Sequence, residues 1–415
     1  MHSERTCVEV PAEFQKKVAL LFLCSGDSLI AKSEEVTANL CNPIGQLQRI
    51  ANSLSESGNY EVYQLSRFPA QPFGCAGEIA QISIQDLTSQ TTFSWRLKRK
   101  VLRIAQRMIG RSVYTNDDYL LRQFYSKLPA KRVMMAAEPE MISHLNHHAK
   151  LAGANSIFYA VPTLSPLEWR SENADRITQR FTWLRPVDMF AAQSRSQTNE
   201  AHATGIACTA TIPMSVDLPP FNFDRTEREF ILWCGDTQSI SQPWVVLDLA
   251  RRNHDLRFVM LLRKSDTNLE PSLFARAKSL ENVELVTDPA RLSANSLANY
   301  FAKSCAVINT ALRGQAEHFP LFLYATYHGV PYAVLDSDFD EESARYNETL
   351  INCENSLDLM SNELRRVIAD AVYAEGFARK AHQLLLRENS AEKQAQAATA
   401  AIAEVALLFT ENGDN

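Results

Sequence analysis

The chain alternates short apolar runs with stretches whose apolar residues recur every three to four positions. Lys17 to Cys24 reads as a first strand, closed by Ser25-Gly26-Asp27. Gln46 to Glu56 places Leu47, Ile50, Ala51 and Leu54 on one helical face; Gly58 stops it, and Tyr60 to Leu65 is a second strand. Lys131 to Ala137, Ile157 to Val161, Asp188 to Ser194 and Ile212 to Val216 follow as strands, with helices predicted over Glu140 to Ala152 and Arg170 to Arg185. The rhythm resumes with apolar runs at Phe230 to Cys234, Leu256 to Leu262, Ala306 to Ile308 and Tyr332 to Leu335. Between them lie helical periods such as Trp244 to Ala250 and Leu321 to His328. Short fully apolar runs, each followed by a helical period, are the pattern of βαβ units in a parallel sheet. Ligands of such sheets collect at the carboxyl ends of the strands, so the loops after Cys234, Leu262 and Ile308 are the places for chemistry.

At 415 residues the chain is too long for one ordinary core and suits two α/β domains of about 200 residues each. Pro219-Pro220 forbids continued regular structure and marks a linker. The division expected is 1–222 for a first domain, 223–390 for a second and 391–415 for a C-terminal helix. A hydrophobic content of 46% with 22% charged residues is that of a soluble globular protein. No apolar run approaches the roughly 18 to 20 residues that span a bilayer, and the stretch from Met1 to Phe14 is too polar for a signal peptide, so a cytoplasmic protein is expected. Eight scattered cysteines with no C-x-x-C pair argue against a disulfide framework or zinc ribbon; Cys24, Cys234 and Cys305 read as small buried residues. A net charge of -6 gives no reason to bind nucleic acid.

One segment departs from this balance. Residues 96–111 carry Arg96, Lys98, Arg99, Lys100, Arg103, Arg107 and Arg111 without an acidic residue, beside a stripe of Leu97, Val101, Ile104, Ala105 and Met108. That is either an interfacial helix for an anionic membrane surface, with Arg99, Arg103 and Arg107 facing lipid, or a solvated helix packed on its own domain. His144, His147 and His148 share a helix face, but no carboxylate or cysteine stands at matching spacing, and they read as exposed histidines rather than metal ligands.

Four blocks carry a family resemblance: Phe230-Ile-Leu-Trp-Cys-Gly235, Asn282-Val283-Glu284-Leu285, Glu317-His318-Phe319 and Gly329-Val330-Pro331. Their order resembles the donor-binding half of GT-B glycosyltransferases, the retaining, glycogen-synthase-like branch in particular. Ile212-Pro213-Met214-Ser215-Val216-Asp217, followed by Phe221, is similar to the segment that closes the family's first domain. The resemblance implies an α/β fold of two Rossmann-like domains facing across a cleft, with the alanine-rich segment Ala391 to Leu408 crossing back to the first. It implies transfer of a sugar from a nucleotide-diphosphate donor, as co-substrate, to a glycan or lipid-linked acceptor, with no other cofactor and no metal. Such chemistry needs cations for the departing diphosphate and carboxylates for sugar hydroxyls.

Carried onto this chain, the resemblance makes Glu317 the catalytic carboxylate. The donor site then comprises Gly235, Asp236, Gln242, His318, Phe319, Leu321 and Tyr324, with Gly26 and Gly45 on the acceptor side, while Arg263 and Lys264 at the end of the second strand and Arg313 before Glu317 are the candidate cations for a rebuilt phosphate site. The chain departs from the family pattern at three places. Asp236 follows Gly235 where the family has a cation, the expected lysine falls at Ser241 or Gln242, and Tyr324 replaces the second glutamate. Gly at 13 of 415 is low against the usual ~7%, although phosphate-cradling loops use glycine. Two readings follow: an active glycosyltransferase, or a catalytically silent relative that binds or scaffolds beside a partner transferase. A nicotinamide-dependent dehydrogenase is disfavoured, because no G-x-G-x-x-G follows any predicted strand.

Overall fold

Strands that are apolar on both faces need cover on both sides, and the chain supplies it with helices flanking two parallel sheets. The computed structural model describes residues 18–24, 43–57, 60–66, 80–83, 116–137, 141–160, 187–193, 198, 201, 209–235, 242–262, 271–287, 294–310, 318–335 and 348–412. Among these, the first sheet contains β1 (Val18–Cys24), β2 (Glu61–Ser66), β3 (Ala80–Ser83), β4 (Lys131–Ala136), β5 (Asn155–Tyr159), β6 (Met189–Ala192) and β7 (Thr209–Thr211). Its order is β3-β2-β1-β4-β5-β6-β7. The second contains β8 (Phe230–Gly235), β9 (Phe258–Leu262), β10 (Val283–Val286), β11 (Ser304–Asn309), β12 (Tyr332–Val334) and β13 (Ile351–Asn352), in the order β10-β9-β8-β11-β12-β13. Every described pairing is parallel. The second sheet therefore runs 3-2-1-4-5-6, the order of the Rossmann fold, and the first runs the same way with a seventh strand added at its far edge.

The first lobe carries α1 (Pro43–Glu56), α2 (Asn116–Tyr125) and α3 (Ile142–Ala152). The second carries α4 (Pro243–Arg252), α5 (Pro271–Lys278), α6 (Ala294–Ala302), α7 (His318–Tyr327), α8 (Leu357–Ala369) and α9 (Ala371–Glu388). Helix α10 (Ala391–Asn412) packs against α1, β4, β5 and β7 of the first lobe. Side-chain caps fix two starts: Ser356 accepts from the Leu359 amide at α8, and Asp370 from the Tyr373 amide at α9.

Several elements differ from the sequence expectation. Helix α1 starts at Pro43, three residues before Gln46, since proline suits the first helical turn. Residues 212–216 are not a strand. Ile212 N–H still reaches Ala192 C=O, after which the Gln46 side chain and both the side chain and the carbonyl of Asn389 take over the backbone bonds of this stretch. His148 is buried, with Nδ1 2.9 Å from the Tyr125 hydroxyl, while His144 and His147 are exposed as expected.

Three apolar clusters fill the molecule. One lies between the first sheet and α2 and α3; another lies between the second sheet and α4, α5 and α8. The third is shared. It runs from Leu20, Phe22 and Leu47 through Met214 and Val405 to Leu232, Phe322 and Leu385, so one continuous core joins the two lobes.

Candidate functional site

The reversal point of the second sheet lies between β8 and β11, and sheets of this order bind ligands in the crevice outside the carboxyl ends of such a strand pair. Gly235 closes β8; Asn309 closes β11, and Thr310 follows it. The buried Trp233 indole donates its N–H to Thr310 Oγ1 at 2.9 Å, fastening the two strand ends together. Thr310 Oγ1 in turn lies 3.4 Å from Gln242 C=O. Gln242 holds φ 49° at the start of α4, a left-handed turn directing the chain into Pro243 at the first helical position. On the opposite face of β11, Asn309 Nδ2 donates to the Tyr332 hydroxyl at 2.8 Å, and Asn309 C=O accepts from Leu335 N–H at 2.9 Å.

Gly235 is required by packing. A β-carbon there would stand 2.4 Å from Trp233 Cζ2 and 2.5 Å from Cη2, because the indole lies along the strand over residue 235. Trp233, Thr310, Asn309, Gln242 and Cys234 make this a polar, uncharged floor, with burial pushing the Cys234 thiol up from its ordinary value.

Of the residues expected at a donor site, the structure brings Gly235 and Gln242 together on this floor. His318 and Phe319 fall in the first turn of α7, with Leu321 half-buried just behind them. Tyr324 departs from expectation: it is 1% exposed, its ring 5.3 Å from that of Phe301 in the shared core. Helix α7 is apolar nearly all round, and residue 324 falls on its inward side, so the ring offers no face to a ligand in this arrangement. Gly45, expected in a loop ahead of a helix, is the third residue of α1. Gly26, Asp236, Arg263, Lys264, Arg313 and Glu317, together with Arg99, Arg103, Arg107 and the rest of 96–111, lie outside the described residues. The elements bounding them are described: β8 ends at Gly235, β9 at Leu262 and β11 at Asn309, and α7 begins at His318.

Sequence reasoning missed the Trp233–Thr310 clasp, whose only signal was a tryptophan two residues before a strand-ending glycine. Other blocks of the family-like pattern serve the fold. Asn282 Nδ2 donates to the carbonyls of Ala250, Asn253 and Leu256 at 2.9, 3.0 and 2.9 Å, closing the carboxyl end of α4. Gly329 holds φ +63°, and a β-carbon on it would meet Asn222 C=O at 2.5 Å.

Comparison with solved structures gives matches over nearly the whole chain. The N-terminal domain of Candida albicans trehalose-6-phosphate phosphatase superposes with a TM-score of 0.57 at 10% identity, covering 94% of this chain and 97% of that one. The α,α-trehalose 6-phosphate synthase of Burkholderia multivorans gives 0.54 at 11% identity over 95% and 100%. Anabaena HepE, in complex with UDP and glucose, gives 0.55 at 10% identity over 93% and 99%. The chain has the GT-B fold. At this identity the likeness concerns the GT-B architecture and not its chemistry. No protein-family model matches the chain, and no curated protein matches it in sequence. Among the described residues of this GT-B chain, no helix is long and apolar enough to cross a membrane, and no three His, Cys, Asp or Glu side chains are grouped to hold a metal ion.

Proposed function

We propose that the chain is a glycosyltransferase that moves a sugar from a nucleotide-sugar donor to a glycan or lipid-linked acceptor in polysaccharide or glycoconjugate biosynthesis. One observation carries this reading: the strand order of the second sheet reverses between β8 and β11, the place where sheets of this order bind ligands, and the segments following β8, β9 and β11 start from that same edge of the sheet. Those segments contain Arg263, Lys264, Arg313 and Glu317. The floor itself is uncharged, so neutralising a departing diphosphate falls to Arg263, Lys264 and Arg313, against the repulsion of Asp236. Glu317 accepts hydrogen bonds from the donor sugar, and the first amides of α7, at His318 and Phe319, lie beside it in sequence. Gly26 and Gly45 belong to the acceptor side, and residues 96–111 bring the enzyme to an anionic membrane surface when the acceptor is lipid-linked. HepE, solved with UDP and with UDP-glucose, shows this architecture holding such a donor.

A second reading has its own support. Tyr324 is withdrawn into the core, Asp236 stands where the family has a cation, and the same fold occurs as a domain of a protein named as a phosphatase. In that reading the lobe binds or scaffolds beside a partner transferase without catalysing transfer. Calorimetric titration with a panel of nucleoside diphosphates separates the two. An active donor site binds one of them, and Glu317→Ala weakens the corresponding nucleotide sugar by roughly 10- to 100-fold, the worth of hydrogen bonds to a carboxylate. Absence of binding across the whole panel would leave the scaffold reading.

A further inference from the structure

Helix α9 is buried along one side and bare along the other. Ala374, Ala378, Ala381 and Leu385 turn into the fold, while Val372 stands 81% exposed and Leu386 50%, the large exposed apolar side chains among the described residues. Both lie on one stripe. Val372, Gly376, Arg379, Gln383 and Leu386 are all exposed and succeed one another at intervals of four, three, four and three residues. That is the spacing of a seam along which one helix packs on another, and at about 100° per residue the five fall within an arc of about 80°.

Gly376 stands inside this stripe without a reason in its own chain. A β-carbon there would meet nothing within 4 Å, and glycine is a poorer helix residue than any but proline. What its missing side chain provides is room for a body approaching from outside, since helix axes come closest where the contact residue is small.

The stripe is complementary to itself when reversed. About a two-fold axis at Arg379, residues equally far before and after position 379 face each other in the two copies. Val372 then meets Leu386, Gln383 meets the gap at Gly376, and Arg387 meets the start of the helix at Asp370. Asp370 and Arg387 are both exposed, an acid at one end and a base at the other. Run parallel, the same stripe would set like charge on like charge. Arg379, at the axis, is drawn aside within its own copy: it donates to Glu375, and its guanidinium lies 4.5 Å over the Phe221 ring. We propose that two copies of this chain pair through α9, antiparallel, with Gln383 of each seated at Gly376 of the other. A single helix face is smaller than the roughly 800 Å² per partner of a standard interface, so the pair forms and parts reversibly. This inference stands independently of what the second lobe binds.

Sedimentation equilibrium of the full-length protein from about 1 to 300 μM should show the weight-average mass rising from one chain towards two. Leu386→Glu and, separately, Gly376→Leu should each weaken the pairing at least about tenfold, the first by setting a charge against Val372 and the second by filling the gap. Gly376→Leu should do so while the dilute chain melts no lower than the unaltered protein, since the new side chain enters open space on a helix. Orientation is read by pulsed dipolar resonance from one spin label per copy, carried by non-cysteine chemistry at exposed Lys380 or exposed Ala371. With a rise of about 1.5 Å per residue, antiparallel pairing separates the two labels by roughly 24 Å along the helix at Ala371 and by about 3 Å at Lys380. A chain that stays single at every concentration overturns the proposal. So does association that ignores both substitutions, a lower melting temperature in Gly376→Leu, or equal label distances at the two positions.

Discussion

Gly235→Ala is the sharpest probe of the crevice floor. The added methyl would sit 2.4 Å from Trp233 Cζ2, where carbon atoms settle at about 3.5–4.0 Å, so the indole has to retreat by about 1 Å. Trp233 is 1% exposed and cannot retreat into solvent. Its N–H bond to Thr310, 2.9 Å long, does not survive such a shift. Over-packing costs about 1–3 kcal/mol and the lost buried hydrogen bond about 1 kcal/mol, giving roughly 2–4 kcal/mol in all. For a lobe of about 200 residues that lowers the thermal midpoint by on the order of 8 °C. Calorimetric melting of Gly235→Ala, Trp233→Phe and the double variant tests the cause. Phenylalanine lacks the two ring atoms that collide, so the double variant should be more stable than the sum of the singles by at least about 1 kcal/mol. Strict additivity would show that the indole is not what requires glycine here.

Burial holds His148 down at about 4, with further lowering from His147 and His144 against a small opposing pull from Asp118. Burial, and then Arg228, bring His328 to about 4 as well. Both folded values lie below the ordinary 6.5, so the unfolded chain takes up these protons first. Stability is therefore whole above about pH 6.5 and falls by about 3 kcal/mol per histidine as pH drops towards 4. In urea titrations from pH 7.5 to 4.5, His148→Gln should lose about half of this slope; a slope equal to that of the unaltered protein would sink the assignment. Gly329→Ala should cost at least about 2 kcal/mol, because strained φ adds to collision with the Asn222 carbonyl. Gly153→Ala, at φ +58° but in open space, should cost only about 1 kcal/mol. Equal losses on thermal denaturation would mean that the Asn222 contact is immaterial.

What could be read from sequence was whatever is buried on both sides. Phe230 to Cys234 and Leu256 to Leu262 announce central strands because helices cover each face, leaving no polar alternation. Short Ala80–Ser83, at the edge of its sheet and half polar, gave no comparable signal and went unpredicted. Residues 212–216 look like a strand because Ile212, Met214 and Val216 alternate inward, yet Ser215 bonds to the Gln46 side chain, Met214 C=O to the Asn389 side chain and Val216 N–H to the Asn389 carbonyl, which no local pattern announces. His148 and Tyr324 misled for one reason: one was expected exposed and the other at a donor site, while the helix face that each occupies turns it inward. The family-like blocks divide along the same line. Asn282 and Gly329 keep the backbone in shape, and are legible because few residues can do so. Glu317, Arg263 and Arg313 fall outside the periodic stretches of the sequence, so no pattern constrains their identity or position.

That α10 seals the first lobe has a bearing on how the protein is made. The surface of β4 and β5 that receives Ala398, Ile402 and Val405 is translated early, but its cover emerges from the ribosome only after the whole second lobe. During synthesis this apolar surface stays bare, a demand on holding chaperones that a lobe encoded in one uninterrupted stretch would not make. A fragment ending at residue 217 should accordingly aggregate when expressed alone and recover solubility when a peptide of residues 390–412 is supplied with it.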